Sequence, residues 1–396
     1  MSNTKKLFDR IKENNLDEIK LLIEKGADVE GILEDGNATT PLSMAASLNN
    51  VDAMKLLIVN GAYLNRKNKY GITPLHRAAE EDNVNAMRFL IEKGADIESK
   101  GIHGETPLHE TVQKNSVNAM KLLIEKGADI ESKNKNEETP LHLASNGKPH
   151  LHLGRMKLLK LLIAKGAEIK VKNSSGETPL HEAAKSNNID AMKLLFENGA
   201  DIETEDESGQ TPLFAATVFD SLNAMKFLIE KGANVNNRDE YGEDPLAAAI
   251  ARENVNSMKL LIENGADIER KTDNGSMPIF ETVTNLDAMK LLIEKGVDFK
   301  SKSTFGSTPL HEATRLNHID TMKLLLEKGA DIDTKFIEML IKNLEVCNTE
   351  KDVLTKEKDI LTKENDILTK EKDILTGSLT DIIEKLRVCN SRSRNK

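Results

Sequence analysis

The stretch TPLHETVQKNSVNAMKLLIEKGAD, residues 106–129, recurs in close copies from the start of the chain to about residue 331. Its proline returns at Pro41, Pro74, Pro107, Pro140, Pro179, Pro212, Pro245, Pro278 and Pro309, spaced by 33 residues except for one interval of 39 and a last one of 31. The glycine near its end returns ten times, from Gly26 to Gly329, so there are ten units and the first lacks the proline. A fixed period of this size is the mark of stacked supersecondary units that bury their apolar faces on one another. Each unit packs only on its neighbours, so the length of 396 residues sets no domain count.

Within a unit the residue types read as start, core and stop signals. Thr precedes seven of the nine prolines and Asp244 an eighth. Such a residue caps a helix through its side-chain oxygen, and proline at the first helical position has no N–H to leave unpaired. The spacing predicts a short first helix over residues 107–114, a polar turn such as residues 186–188, and a second helix over residues 189–198. In the second helix Met192, Leu195 and Phe196 recur at three- and four-residue intervals. Gly199 ends it in a left-handed conformation. Between units a polar connector must reverse the chain, and glycine three residues before most prolines predicts a turn of positive φ. Ala38 and Glu137 replace that glycine in two copies.

The Thr-Pro-Leu-His opening, the 33-residue period and the Leu-Leu-Ile-Glu-Lys-Gly-Ala-Asp ending together resemble the ankyrin repeat. The resemblance implies an all-α solenoid of antiparallel helix pairs, with loops projecting from it and a curved binding face made by loop tips and first helices. The expected organisation is an N-terminal capping repeat over residues 1–38, an array over 39–334, a coiled-coil-like helix over 335–390 and a disordered basic tail over 391–396.

Three irregularities stand out. The first unit has Lys6 where proline belongs and Phe8 in the histidine column, with charges suited to an end facing water. The unit opening at Pro140 carries six extra residues, and residues 146–155, NGKPHLHLGR, place them in the turn between helices. The unit opening at Pro278 has Met277 in place of the capping threonine and Ile279 and Phe280 in place of Leu-His. It is also two residues short, which predicts a shortened first helix and the weakest junction of the array.

From residue 350 four heptads follow, EKDVLTK, EKDILTK, ENDILTK and EKDILTG. With Leu354, Leu361, Leu368 and Leu375 at position d, the register runs back through Ile337 and Leu340 and forward through Leu379, Ile382 and Leu386, with Asn365 among the polar a residues. Leucine at d with polar a positions predicts a parallel two-stranded homodimer. A solitary charged helix, or one docked on the last unit, stays open, because the middle heptads have one strong seam residue each.

Composition narrows the function classes. A net charge of -10, with the acidic excess before residue 335, argues against nucleic acid or an anionic membrane as partner. The two cysteines, Cys347 and Cys389, form no disulfide framework, and no signal-peptide or membrane-spanning run is present. An intracellular, cytoplasmic protein is expected.

The five aligned histidines, His76, His109, His142, His181 and His311, read as loop supports, since a catalytic group repeated five times is implausible. His150 and His152 lack further metal ligands at a recognised spacing and read as surface loop. The aligned methionines share a face with core leucines and read as core filling. No phosphate loop, nucleophile triad or CxxC pair is found, so no enzyme, cofactor or metal is expected.

Variation between copies marks where a partner would bind. The connector tips differ most, at Tyr70, Ile102, His103, Tyr241 and Phe305, and the ends of first helices differ at Val218 and Phe219. An aromatic side chain with no core to fill is a binding anchor. Beside Phe214, the pair Val218 and Phe219 is open between binding and packing on the next unit. The expected function is a non-enzymatic scaffold that binds a protein through these positions, with avidity if the tail dimerises. The alternative is a tether whose tail makes the specific contact.

Overall fold

The computed structural model describes residues 3–33, 36, 38–147, 152–271, 276–346 and 383. Among the described residues all regular structure is helical, apart from one isolated bridge between Leu33 and Thr39. The chain divides into two compact units, Met1–Ala233 and Asn234–Lys396.

The first unit holds seven helix pairs: α1 (Asn3–Lys12) with α2 (Leu16–Glu24), α3 (Pro41–Ser47) with α4 (Val51–Val59), α5 (Pro74–Glu80) with α6 (Val84–Glu92), α7 (Pro107–Lys114) with α8 (Val117–Glu125), α9 (Pro140–Ser145) with α10 (His152–Ala164), α11 (Pro179–Lys185) with α12 (Ile189–Glu197), and α13 (Pro212–Val218) with α14 (Leu222–Glu230). First helices pack on first helices from α1 to α13, and second helices on second helices from α2 to α14. The second unit repeats this with α15 (Pro245–Ala251) and α16 (Val255–Glu263), α17 (Pro278–Glu281) and α18 (Leu286–Glu294), and α19 (Pro309–Arg315) and α20 (Ile319–Glu327). It adds α21 (Thr334–Val346), which packs on α19.

Each first helix starts as the sequence predicts. Thr40 Oγ1 accepts from the Ser43 amide at 3.2 Å, and Asp244 Oδ1 from the Ala247 amide at 2.9 Å, with proline at the first helical position in both. Second helices bury one stripe, in which Met54, Met87, Met120, Met192, Met225, Met258, Met289 and Met322 are all fully buried. They stop on glycine: at the end of α8 the Gly127 amide bonds the Ile124 carbonyl at 3.1 Å and the Ala128 amide the Leu123 carbonyl at 2.9 Å, while Gly127 turns left-handed at φ +88°.

The turn between paired helices holds a left-handed residue that is almost always Asn or Asp, as at Asn49, Asp82, Asn115 and Asn187. Three of these side chains serve the following repeat. Asn49 Oδ1, Asp82 Oδ1 and Asn187 Oδ1 accept from the amides of Ala86, Ala119 and Ala224, at 2.9, 2.6 and 2.8 Å. The orphan donors at a second helix's start are thus satisfied from the neighbouring pair.

The six extra residues near Pro140 are only partly loop. Helix α10 has 13 residues where its counterparts have 9, so the expected turn over 146–155 gives way to helix from His152 onward. Arg155 allows this: it is buried, and its guanidinium donates to the carbonyls of Leu143 and Asn146 at the end of α9. The unit at Pro278 shows the expected shortening. Helix α17 has 4 residues against 7 in α15 and α19, and Met277 provides no side-chain cap.

At the C-terminal end, Phe336, Ile337 and Leu340 are buried in the chain's own core, and Asn343 Nδ2 donates to the Thr314 carbonyl at 2.6 Å. This corrects the register that carried the dimer seam back through Ile337 and Leu340. α19 has no further repeat to cover it, so α21 lies where the next first helix would. The remaining seam positions, Leu354, Leu361, Asn365, Leu368, Leu375, Leu379, Ile382 and Leu386, lie outside the described residues.

Candidate protein-binding surface

Connector tips are short polar loops, and in several of them an Asn or Asp at the start holds the backbone. Asn68 Oδ1 accepts from the amides of Tyr70 and Ile72 at 2.9 and 3.0 Å, and Asp239 Oδ1 from those of Tyr241 and Glu243 at 3.0 and 2.9 Å. Such an Asx turn fixes the loop without using the residues at its tip. Successive tips are tied together. The Ile102 amide bonds the Tyr70 carbonyl at 2.9 Å, the Lys135 amide the His103 carbonyl at 2.8 Å, and the Ser174 amide the Asn136 carbonyl at 2.9 Å.

The close approach explains the glycine that follows the tips at Tyr70 and His103. Gly104 sits at φ +83°, and a Cβ on it would lie 2.8 Å from the Lys135 nitrogen. Glu137 holds the same position at φ +56° without that freedom, and Ala38 does so at φ +58°. A lysine ladder reinforces the row. Lys67, Lys100, Lys133 and Lys172 donate through Nζ to the carbonyls of Lys100, Lys133, Lys172 and Glu205, at 2.8, 2.9, 3.3 and 2.7 Å.

The histidine column closes the loops from below. In four repeats Nε2 reaches the carbonyl of the residue before the next capping threonine: His76 to Glu105, His109 to Glu138, His142 to Glu177 and His181 to Gln210, all within 3.1 Å. Nδ1 meets the amide of the histidine's own capping threonine, as in Thr106 to His109 at 3.2 Å. A carbonyl on one side and an N–H on the other require the neutral ring with its proton on Nε2. Burial holds His76 and His181 down at about 4, below the ordinary 6.5, although the carbonyl bond works the other way. His109 and His142 are lowered for the same reason. In the last repeat His311 Nε2 instead meets Asp333 Oδ1 at 2.8 Å.

With backbone and polar groups so engaged, the variable side chains are left at the surface. Phe305 is 88% exposed, Tyr241 72% and Tyr70 40%, and Ile102 and His103 are also exposed. Lys69 Nζ lies 4.8 Å from the Tyr70 ring centre. At the end of α13, Phe214 is buried, Val218 half-buried and Phe219 59% exposed, so Phe219 is not absorbed into the core. Lys185 Nζ lies 5.8 Å from the Phe219 ring centre. Tyr70, Ile102, His103, Val218 and Phe219 belong to the first compact unit, and Tyr241 and Phe305 to the second. Within the first, the Tyr70–Ile102 backbone bond brings Tyr70, Ile102 and His103 together, whereas Val218 and Phe219 stand at the end of a first helix.

Sequence comparison between copies missed Leu48, which caps α3 as Phe219 caps α13 and Leu316 caps α19, and all three are exposed. Tyr63, at the start of the second connector, is a further exposed aromatic. The first-helix surface also carries tuned carboxyls. Burial pushes Glu110 up to about 7, with the charges of Glu80 and Glu105 adding to the effect. Glu80 pairs with Arg77 at 2.7 Å and with Lys114 at 2.8 Å.

Among the described residues no group of three or more metal-ligating side chains is placed to hold an ion, and no helix is long and apolar enough to cross a membrane. In a search of curated proteins none matched. A family model described as ankyrin repeats (3 copies) matches residues 7–101, 99–153, 150–239, 203–272 and 246–336. These segments run over the helix pairs almost from end to end, and the chain belongs to the ankyrin-repeat family.

Proposed function

We propose that the protein is a non-enzymatic interaction scaffold that recognises a protein partner through its connector tips and first-helix ends. Ankyrin repeats are in general protein–protein interaction modules. The observation that carries the reading is the exposure of Phe305 and Tyr241 at connector turns and of Phe219 at a helix end, with the Tyr241 turn held by Asp239. An aromatic ring on a fixed backbone loses little freedom on binding and removes a large apolar area from water. The tips also differ from one another in charge and shape, which suits one protein surface better than a repetitive polymer.

The C-terminal heptads join two copies as a parallel homodimer, which adds avidity to each site. Deleting residues 347–396 from the full chain leaves α21 in place and tests this reading. A monomer in sedimentation that still captures its partner supports the scaffold, and a shortened chain that sediments unchanged removes the dimer. Loss of all capture would favour the tether, in which the tail alone carries the specific contact.

A further inference from the structure

The shortening of α17 leaves α15 without its usual cover. Where α15 extends to Ala251, α17 stops at Glu281, and the chain turns away through Thr282 and Thr284. The space left is a cavity of about 400 Å³, within the range that takes a side chain or small ligand. Its floor includes Ala247, Ile250 and Ala251 of α15, and its charged lining consists of Glu243, Glu253 and Glu281, with no lysine or arginine.

We infer that this cavity receives the cationic side chain of a lysine or arginine on the protein partner, the apolar floor taking its methylenes and the three carboxylates its charge. The inference rests on the reading of the protein as a binder of proteins. A long cationic side chain has this dual character, an alkyl stem and a charged head. The side chains of Glu243 and Glu253 make no hydrogen bond or ion pair among the described residues, so both are available to an incoming cation. Glu281 bonds Ser276, and burial raises it above the ordinary carboxyl value against the pull of Arg270. An inorganic cation fits less well, because no three side chains among the described residues are grouped closely enough to ligate one ion, whereas a long cationic side chain needs only carboxylates spread around the rim. Among the described residues the first helices of the other repeats run 6–10 residues, against 4 in α17.

Methyl NMR on the full-length chain tests the inference with Nα-acetyl-lysine methylamide as probe. The neutral Nα-acetyl-norleucine and acidic Nα-acetyl-glutamate methylamides serve as controls. Saturable shifts of the Ile250 and Ala247 methyls with the lysine probe alone are expected. Affinity should be roughly tenfold weaker in the E243Q/E253Q/E281Q variant, a change of about 1.4 kcal/mol. Ala251→Phe fills the cavity from an exposed lining position and should abolish the response with the rest of the spectrum intact. Should the triple variant fail to fold, this second variant still decides. No shift at either methyl, an equal response to norleucine, a response to the acidic probe, or shifts that survive both variants would overturn the inference. The titration needs no partner, so its failure leaves the connector-tip reading standing, and failure of the tip reading leaves the titration standing.

Discussion

The Nε2 atom of His109 lies 3.1 Å from the carbonyl oxygen of Glu138, the last residue before the next repeat's capping Thr139. One imidazole therefore satisfies the cap of its own helix and the end of the following connector. The same bond at His76, His142 and His181 makes the column a set of couplings between neighbours.

These couplings give the fold a pH dependence with a definite sign. The unfolded His181 titrates near 6.5 and the folded one at about 4. Between those values only the unfolded chain holds the proton, so the contribution of His181 is complete above pH 6.5 and is lost as pH falls towards 4. Urea unfolding should show wild type losing about 2 kcal/mol of its advantage over His181→Gln between pH 8 and pH 5. Glu110 has the opposite sign: held at about 7 against an ordinary 4.5, it destabilises as pH rises through that window. Glu110→Gln should therefore gain up to about 3 kcal/mol on wild type from pH 4 to pH 8. A pH-independent difference in either pair would contradict the assigned environment.

Asp244 and Arg270 replace a neutral pair. Elsewhere the same positions hold Thr106 and Ser132, whose hydroxyls are 3.4 Å apart, whereas Arg270 Nε lies 2.6 Å from Asp244 Oδ2 and both side chains are buried. Arg270→Ala leaves a buried carboxylate without its cation and should cost about 3–5 kcal/mol. The double change Asp244→Thr with Arg270→Ser restores the chain's own alternative and should recover at least about 2 kcal/mol of that loss. Additive effects in the double-mutant cycle would count against the pairing.

The connector turn predicts paired effects of opposite sign. Glu137 occupies a left-handed position that glycine holds in most copies, so Glu137→Gly should stabilise by about 0.5–1 kcal/mol. Gly104→Ala meets both an unfavourable φ and the Lys135 backbone, and should destabilise by about 2 kcal/mol or more. Thermal melts of the two single variants check this, and a stabilising Gly104→Ala would refute the close approach.

Helix α17 should open first. It lacks a side-chain cap, worth about 1 kcal/mol, and spans only residues Pro278–Glu281. Hydrogen exchange followed by mass spectrometry should show peptides over residues 276–285 exchanging faster than the matching peptides of α15 and α19. Equal protection would remove the idea of a weak junction.

Residues that act within their own repeat were legible in the sequence. Helix α7 has the expected ends, Pro107 and Lys114, and the methionine column is buried as its spacing implied. Residues that act between repeats were not. Periodicity shows that Asn49 and Asp82 are polar turn residues, but not that their side chains cap helices in the next pair. Arg155 reads as loop until the exposed carbonyls of α9 are in view. Ile337 and Leu340 recur at the same three-residue spacing whether a helix docks in its own chain or pairs with a copy, so the sequence alone could not separate the two. The exposed tips were legible because the copies disagree there, whereas the cavity beneath α17 arises from two missing residues and has no motif.

In the proposed scaffold, repeated residues maintain the fold while the divergent, exposed ones recognise the partner. The most direct test compares wild type with a variant carrying Tyr70→Ala, Phe219→Ala, Tyr241→Ala and Phe305→Ala, by thermal melting and by affinity capture on the same samples. A melting temperature changed by no more than a few degrees and loss of the proteins captured by wild type are expected. An unchanged set of captured proteins, or a collapse in stability that accounts for the loss, would contradict the proposed scaffold.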